Sequence, residues 1–149
     1  MSFFVNASQE EAFHLVMDYF TGRHFKVHTS NPPSYIKAEF GSWISFETSG
    51  NAKGEVEANL VKRNSGSYIN LDLSFGKEYI TNAMMLVVAV SVTLVIFDGL
   101  GFDFPFILSM LLFEVAILLG FVGYAVSKTR RRIIEEFNMF IQSLASKKD

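Results

Sequence analysis

The chain has 149 residues, enough for one ordinary domain, and it contains no cysteine, which excludes disulfides, thiolate metal sites and a cysteine nucleophile. Half of it is hydrophobic and only 19% is charged, below the quarter or so usual in a soluble domain, with a net charge of −2. That near-neutral sum is uneven: residues 1–79 carry seven basic and nine acidic side chains, 80–127 carry only Asp98, Asp103 and Glu114, and 128–149 carry six basic and three acidic ones. A disordered chain and a plain soluble globule are excluded, and an acidic main polar block speaks against nucleic acid as a partner.

The first residues lack the basic start and long apolar core of a secretory signal. Residues 2–5, SFFV, predict a short first strand. Ser8 stands three residues before Glu11, the spacing of a capping box. Ala12, Phe13, Val16, Met17 and Phe20 follow at helical spacing, which predicts a helix over 9–20 with Gly22 as its stop.

Period-two alternation then takes over. Phe25 and Val27; Ile36, Ala38 and Phe40; Ile44 and Phe46; Val56, Ala58 and Leu60; and Ile69, Leu71, Leu73 and Phe75 each alternate with polar neighbours. Turn residues separate these runs at 31–33, at Gly41, at 49–51 and at 64–66. Strands with one apolar and one polar face predict an antiparallel meander covered on one side.

Residues 79–97 read YITNAMMLVVAVSVTLVIF and residues 106–126 read FILSMLLFEVAILLGFVGYAV. Each is long enough, at about 1.5 Å per residue, to cross a hydrocarbon layer of about 30 Å as a helix. The short, turn-rich link between them predicts an antiparallel transmembrane hairpin. Lys77 precedes the first span, Lys128, Arg130, Arg131 and Arg132 follow the second, and the link has no basic residue. The positive-inside rule then puts both termini in the cytoplasm of a two-span cell-membrane protein. The basic cluster reads as a topology anchor and is compatible with anionic membrane lipids.

Past the hairpin, Ile133, Phe137, Phe140, Ile141 and Leu144 make one stripe of an amphipathic helix. A sheet with one bare face and a helix with one apolar stripe suit each other. The expected fold class is therefore α+β: a meander sheet covered by an N-terminal and a C-terminal helix, with the hairpin inserted before the last helix. The expected parts are 1–78 (first part of the cytoplasmic domain), 79–127 (hairpin) and 128–149 (completing helix), the second span running without a break into that helix.

The run from Phe4 to Phe13, FVNASQEEAF, followed by antiparallel strands and a long final helix, resembles START-like domains of the Bet v 1 and polyketide-cyclase group. The resemblance implies a curved sheet around the last helix, with an apolar cavity for a lipid or other hydrophobic ligand, and carries no catalytic residue over. The chain departs from that group in having one helix before the sheet, few strands, and the apolar insertion.

Candidate chemistry is sparse. Glu114 sits mid-span, where an acid is costly unless paired or neutral, so the uncharged acid hydrogen-bonded by Ser91 or Thr93 is the expected form. Ala116, Gly120 and Gly123 offer a small surface for close helix packing, within the hairpin or in a homo-oligomer. On a strand, His24 and His28 stand about 13 Å apart, too far for one metal ion. Glu55, Glu57 and Asp72 suit a solvated face, and Tyr35, Trp43 and Tyr68 are aromatics on the polar side of the sheet. No phosphate loop, nucleophile elbow or zinc-helix motif is present, and no cofactor is expected. The expected role is a non-enzymatic binding or assembly module held at the bilayer, with a protein partner or a second copy. The alternatives are a hydrophobic-ligand domain and a small proton-coupled or transport element using Glu114.

Overall fold

A computed structural model describes residues 1–41 and 52–145. The strand expected around Ile44 and Phe46, the turn at 49–51 and Trp43 lie outside the described residues.

Helix α1, Gln9–Gly22, begins on the capping box. The Glu11 N–H donates to Ser8 Oγ at 3.2 Å, and the Ser8 N–H donates to Glu11 Oε2 at 2.9 Å. Two backbone donors that the first helical turn leaves open are thus satisfied at once. At the other end Arg23 caps the helix and His24 turns the chain at φ 58°, in the left-handed region. That reversal sends the chain into the sheet.

The strands are β1 (Ser2–Val5), β2 (Lys26–Asn31), β3 (Tyr35–Phe40), β4 (Gly54–Arg63) and β5 (Gly66–Ser74). They form one antiparallel sheet in the order β1-β5-β4-β3-β2. Strands β2 to β5 are the meander, and β1 comes back to pair with β5. The register places Ile36 beside Ala58 and Ala58 beside Leu71, with Ala38, Val56 and Leu73 in the parallel row, all buried. Phe25 precedes its strand rather than belonging to it, and a register shift between Val27 and Thr29 interrupts the alternation in β2.

Helix α2, Gly76–Gly99, starts one residue past β5, so Gly76, Lys77 and Glu78 form its first turn. Helix α3, Phe104–Ala145, runs for 42 residues without a break, about 63 Å. Its first half lies beside α2. Its second half presents Ala125, Ile133, Phe137 and Ile141 to the core made by the sheet and by Ala12, Phe13, Val16, Tyr19 and Phe20 of α1. The Phe137 ring meets Phe3 edge-on at 4.9 Å and Tyr19 at 5.1 Å. Phe20, Phe137, Ile36, Ile69, Val16 and Val56 are fully buried in the layer between sheet and helices. A buried hydrogen bond from the Ala52 N–H to Thr129 Oγ1, 2.8 Å, ties the approach to β4 onto α3. The architecture is thus α+β: among the described residues, a five-stranded antiparallel sheet and three helices.

Among the described residues one helix, over Phe104–Ser143, is long and apolar enough to cross a membrane. Its best window has a mean hydropathy of 2.4 and is only 11% buried, unlike the core helix of a soluble protein. Among the described residues the apolar run of α2, Asn82–Phe97, is shorter.

Candidate functional site

The two apolar helices are joined by residues 100–103 and meet through a small number of specific contacts. At the turn, Phe97, Phe102 and Phe106 make an aromatic knot, with Phe102 stacked on Phe106 at 4.9 Å and Phe97 edge-on to Phe102 at 5.3 Å. Leu100, Phe102 and Phe104 around this knot are exposed. Further along, Ile107 and Thr93 are buried between the helices.

Thr93 Oγ1 donates to Glu114 Oε1 at 2.9 Å. Glu114 lies about 15 Å into α3, whereas Thr93 lies only about 9 Å before the end of α2. The offset follows from helix geometry: Cα–Cβ bonds lean toward the helix N-terminus, so the glutamate reaches back toward the turn. Ser91 does not take part. Its hydroxyl donates to the Val87 carbonyl of its own helix at 2.7 Å. Glu114 Oε2 is buried and has no hydrogen-bond partner among the described residues.

Ala116, Gly120 and Gly123 face away from α2. All three are exposed, and a Cβ at Gly120 or Gly123 would meet nothing within 4 Å. The hairpin is therefore packed by its larger side chains, and the small-residue face is left open.

Past the midpoint of α3, where it enters the domain, the basic cluster surrounds the buried Thr129. Lys128 Nζ stands 5.8 Å from the centre of the Tyr124 ring. Arg131 pairs with Glu135 at 2.7 Å and Arg132 approaches Glu136 at 3.9 Å, each one turn along the helix. Glu136 also takes Arg23, from the end of α1, at 3.2 Å. Nothing in the spacing of residues 23 and 136 announces that pair, which depends on how α1 crosses α3. Arg130 is exposed and makes no ion pair among the described residues.

The outer sheet face is a charge ladder. Lys37 pairs with Glu55 at 2.9 Å and Glu57 at 2.8 Å, and Asp72 stands opposite Glu57. Hydrogen bonds that the Lys37 ammonium donates to Glu57 and then to Glu55 hold it well above the usual lysine range. Glu39 takes Lys53 at 2.8 Å and His28 at 2.9 Å, while His24 sits apart in the α1–β2 turn. Tyr68 meets Phe4 in a tilted contact at 5.3 Å, under the Arg63 guanidinium. At the end of the domain away from α2, Ser8, Glu11, Lys62, Arg63 and Gly66 border an open polar groove of about 400 Å³.

No protein-family model matches the chain, and no curated protein matches it. Among solved structures it is similar to CalU16 from Micromonospora echinospora, at 15% identity over 97% of this chain and 83% of that one, with a TM-score of 0.39.

Proposed function

We propose that the chain is an integral membrane protein whose sheet domain is a non-enzymatic binding or assembly module, held rigidly at the surface of the bilayer. The observation that carries this reading is the continuity of α3. A single helix bears a largely exposed apolar surface at 104–124, with Ile107 and Val122 buried, and then, from Ala125, one face of the domain core. Lipid is the medium that covers the first part, and the second part leaves the domain no flexible tether.

In this reading α2 is the second span, α2 and α3 form a hairpin, and both termini are cytoplasmic. Tyr79 and Tyr124, both exposed, then mark the interface on the domain side, where amphipathic rings settle. The absence of any native cysteine makes the test clean. Single substitutions Leu100→Cys, at the turn, and Lys62→Cys, in the domain, are treated with a membrane-impermeant thiol reagent on intact cells. Labelling at Leu100 alone, with Lys62 labelled only after permeabilisation, is expected. Extraction of the protein by alkaline carbonate, or labelling of both sites, would sink the topology. The module reading is tested by crosslinking in native membranes: a second copy or a partner protein is expected, and a strictly solitary chain refutes it.

A further inference from the structure

We infer that the basic segment of α3 where its apolar half meets the domain, Lys128 to Arg132, is a docking collar for anionic phospholipid head groups of the adjoining leaflet. The inference rests on the membrane placement above and names the partner at one of its surfaces. Lys128, Arg130, Arg131 and Arg132 follow within about 9 Å of Val126, roughly one Debye length at physiological salt, so all four feel a charged surface at the end of the span. Lys128, Arg130 and Arg131 make a collar around the outer side of the helix, while Arg132 turns toward the domain and Glu136. Thr129 is buried against the domain, and at about 100° per residue Lys128 and Arg130 flank it on opposite sides while Arg131 faces away from it.

The charges are also ordered along the helix. The Lys128 ammonium stands over Tyr124, one turn nearer the membrane. The acids Glu135 and Glu136 stand a turn further from the bilayer than the arginines they meet. The Arg131–Glu135 pair is exposed on both sides, at 81% and 57%, and such a pair holds its guanidinium weakly enough for a phosphate to compete. A lipid phosphate arriving from the membrane thus meets positive charge first, and the mildly acidic sheet domain is screened behind it. A topology anchor alone needs only the sum of these charges during insertion. The collar adds standing contacts to lipid in the folded protein.

The test uses the full chain in nanodiscs of phosphatidylcholine with a minority of phosphatidylglycerol, with retained lipids identified by native mass spectrometry. The retained anionic-to-neutral ratio is expected to exceed that of the disc about fivefold for each basic contact retained. Raised salt is expected to bring it down in the unaltered protein. A Lys128→Gln, Arg130→Gln, Arg131→Gln variant is expected to hold lipids at the disc's own ratio, whereas Lys62→Gln, Arg63→Gln at the far end of the domain is expected to change nothing. A retained ratio equal to the disc's in the unaltered protein overturns the collar, and so does equal loss in the two variants. Failure of carbonate-resistant insertion overturns the membrane reading itself, so the two failures are told apart.

Discussion

Tyr19 carries a hydroxyl that the core does not use. The ring is 5% exposed and packs against Phe20, Phe137 and Phe140, while the hydroxyl has no partner among the described residues. Burial, reinforced by Glu136 and opposed by Arg23 and Arg132, raises its pKa above the ordinary tyrosine value. The folded state therefore favours the neutral phenol. That preference costs nothing below about pH 10, where the unfolded chain is also neutral. Above it the unfolded chain ionises first, and stability falls until the folded phenol titrates too. Tyr19→Phe removes the unsatisfied group and is expected to raise stability by about 1 kcal/mol at neutral pH. It also removes this share of the alkaline loss. Urea melts at neutral pH and above about pH 10 read both effects, and a destabilised variant would mean that the hydroxyl is bonded. The Thr93–Glu114 contact behaves the other way. Thr93→Val leaves the acid without its donor and is expected to cost about 1 kcal/mol, the scale of polar contacts between helices in membranes. Adding Glu114→Leu is expected to restore most of it, because the stranded group is gone. Thermal unfolding of the four proteins in micelles closes that cycle, and additive single effects would mean the two side chains do not interact.

At the scale of elements, close approach decides more than propensity. A Cβ on Gly54 would stand 2.6 Å from Phe40 Cζ and 2.6 Å from the Ser74 carbonyl oxygen. Gly54→Ala therefore forces β3, β4 and β5 apart where they converge, at an expected cost of about 1–3 kcal/mol. Gly22→Ala, with nothing within 4 Å, is expected to lie within about 0.5 kcal/mol of the parent. Equal denaturation midpoints for the two variants would contradict this. Gly54 shows where reading from the chain stops. Alternation at 36–40, 56–60 and 69–75 made the strands and their buried faces legible, because period two is a local property. Ser8 and Glu11 likewise announced the start of α1. The partners across the sheet are not local. Gly54 carries no signal of its own in the sequence, because its requirement comes from Phe40 and Ser74, which flank it across the sheet. The bulge in β2 and the place of β1 beside β5 also depend on pairing. Between the helices, counting residues from the turn puts Glu114 near Ala89 and Ser91. The backward lean of its side chain, together with the register of the two helices, brings it to Thr93 instead.

For the whole molecule, α3 decides whether domain and apolar hairpin move as one body. It enters the core at Ala125 and leaves it past Ile141, fixed by Thr129, Ile133 and Phe137 and by the Arg23–Glu136 pair. The second link is direct as well, since β5 and α2 are separated by Phe75, itself buried. Ser127 lies on α3 between the two halves and is exposed. Ser127→Pro removes one backbone hydrogen bond and pushes on the carbonyl four residues before it, at a cost of about 3 kcal/mol to the helix. The core contacts begin again at Thr129, so the domain itself is expected to stay folded, with an unchanged circular-dichroism melt of its sheet. What changes is the coupling. Spin labels on Lys62→Cys and Leu108→Cys report the distance from the far end of the sheet to the apolar half of α3. A narrow distribution is expected for the continuous helix and a broadened one for Ser127→Pro. A broad distribution in the unaltered helix would refute rigid coupling, and a narrow one in both would show that β5 and α2 suffice to hold the two parts together. Under the membrane reading proposed above, rigid coupling would hold the charged outer sheet face, Lys37 with Glu55 and Glu57, at one height and angle, so that a partner docking there would meet no cost for freezing a tether.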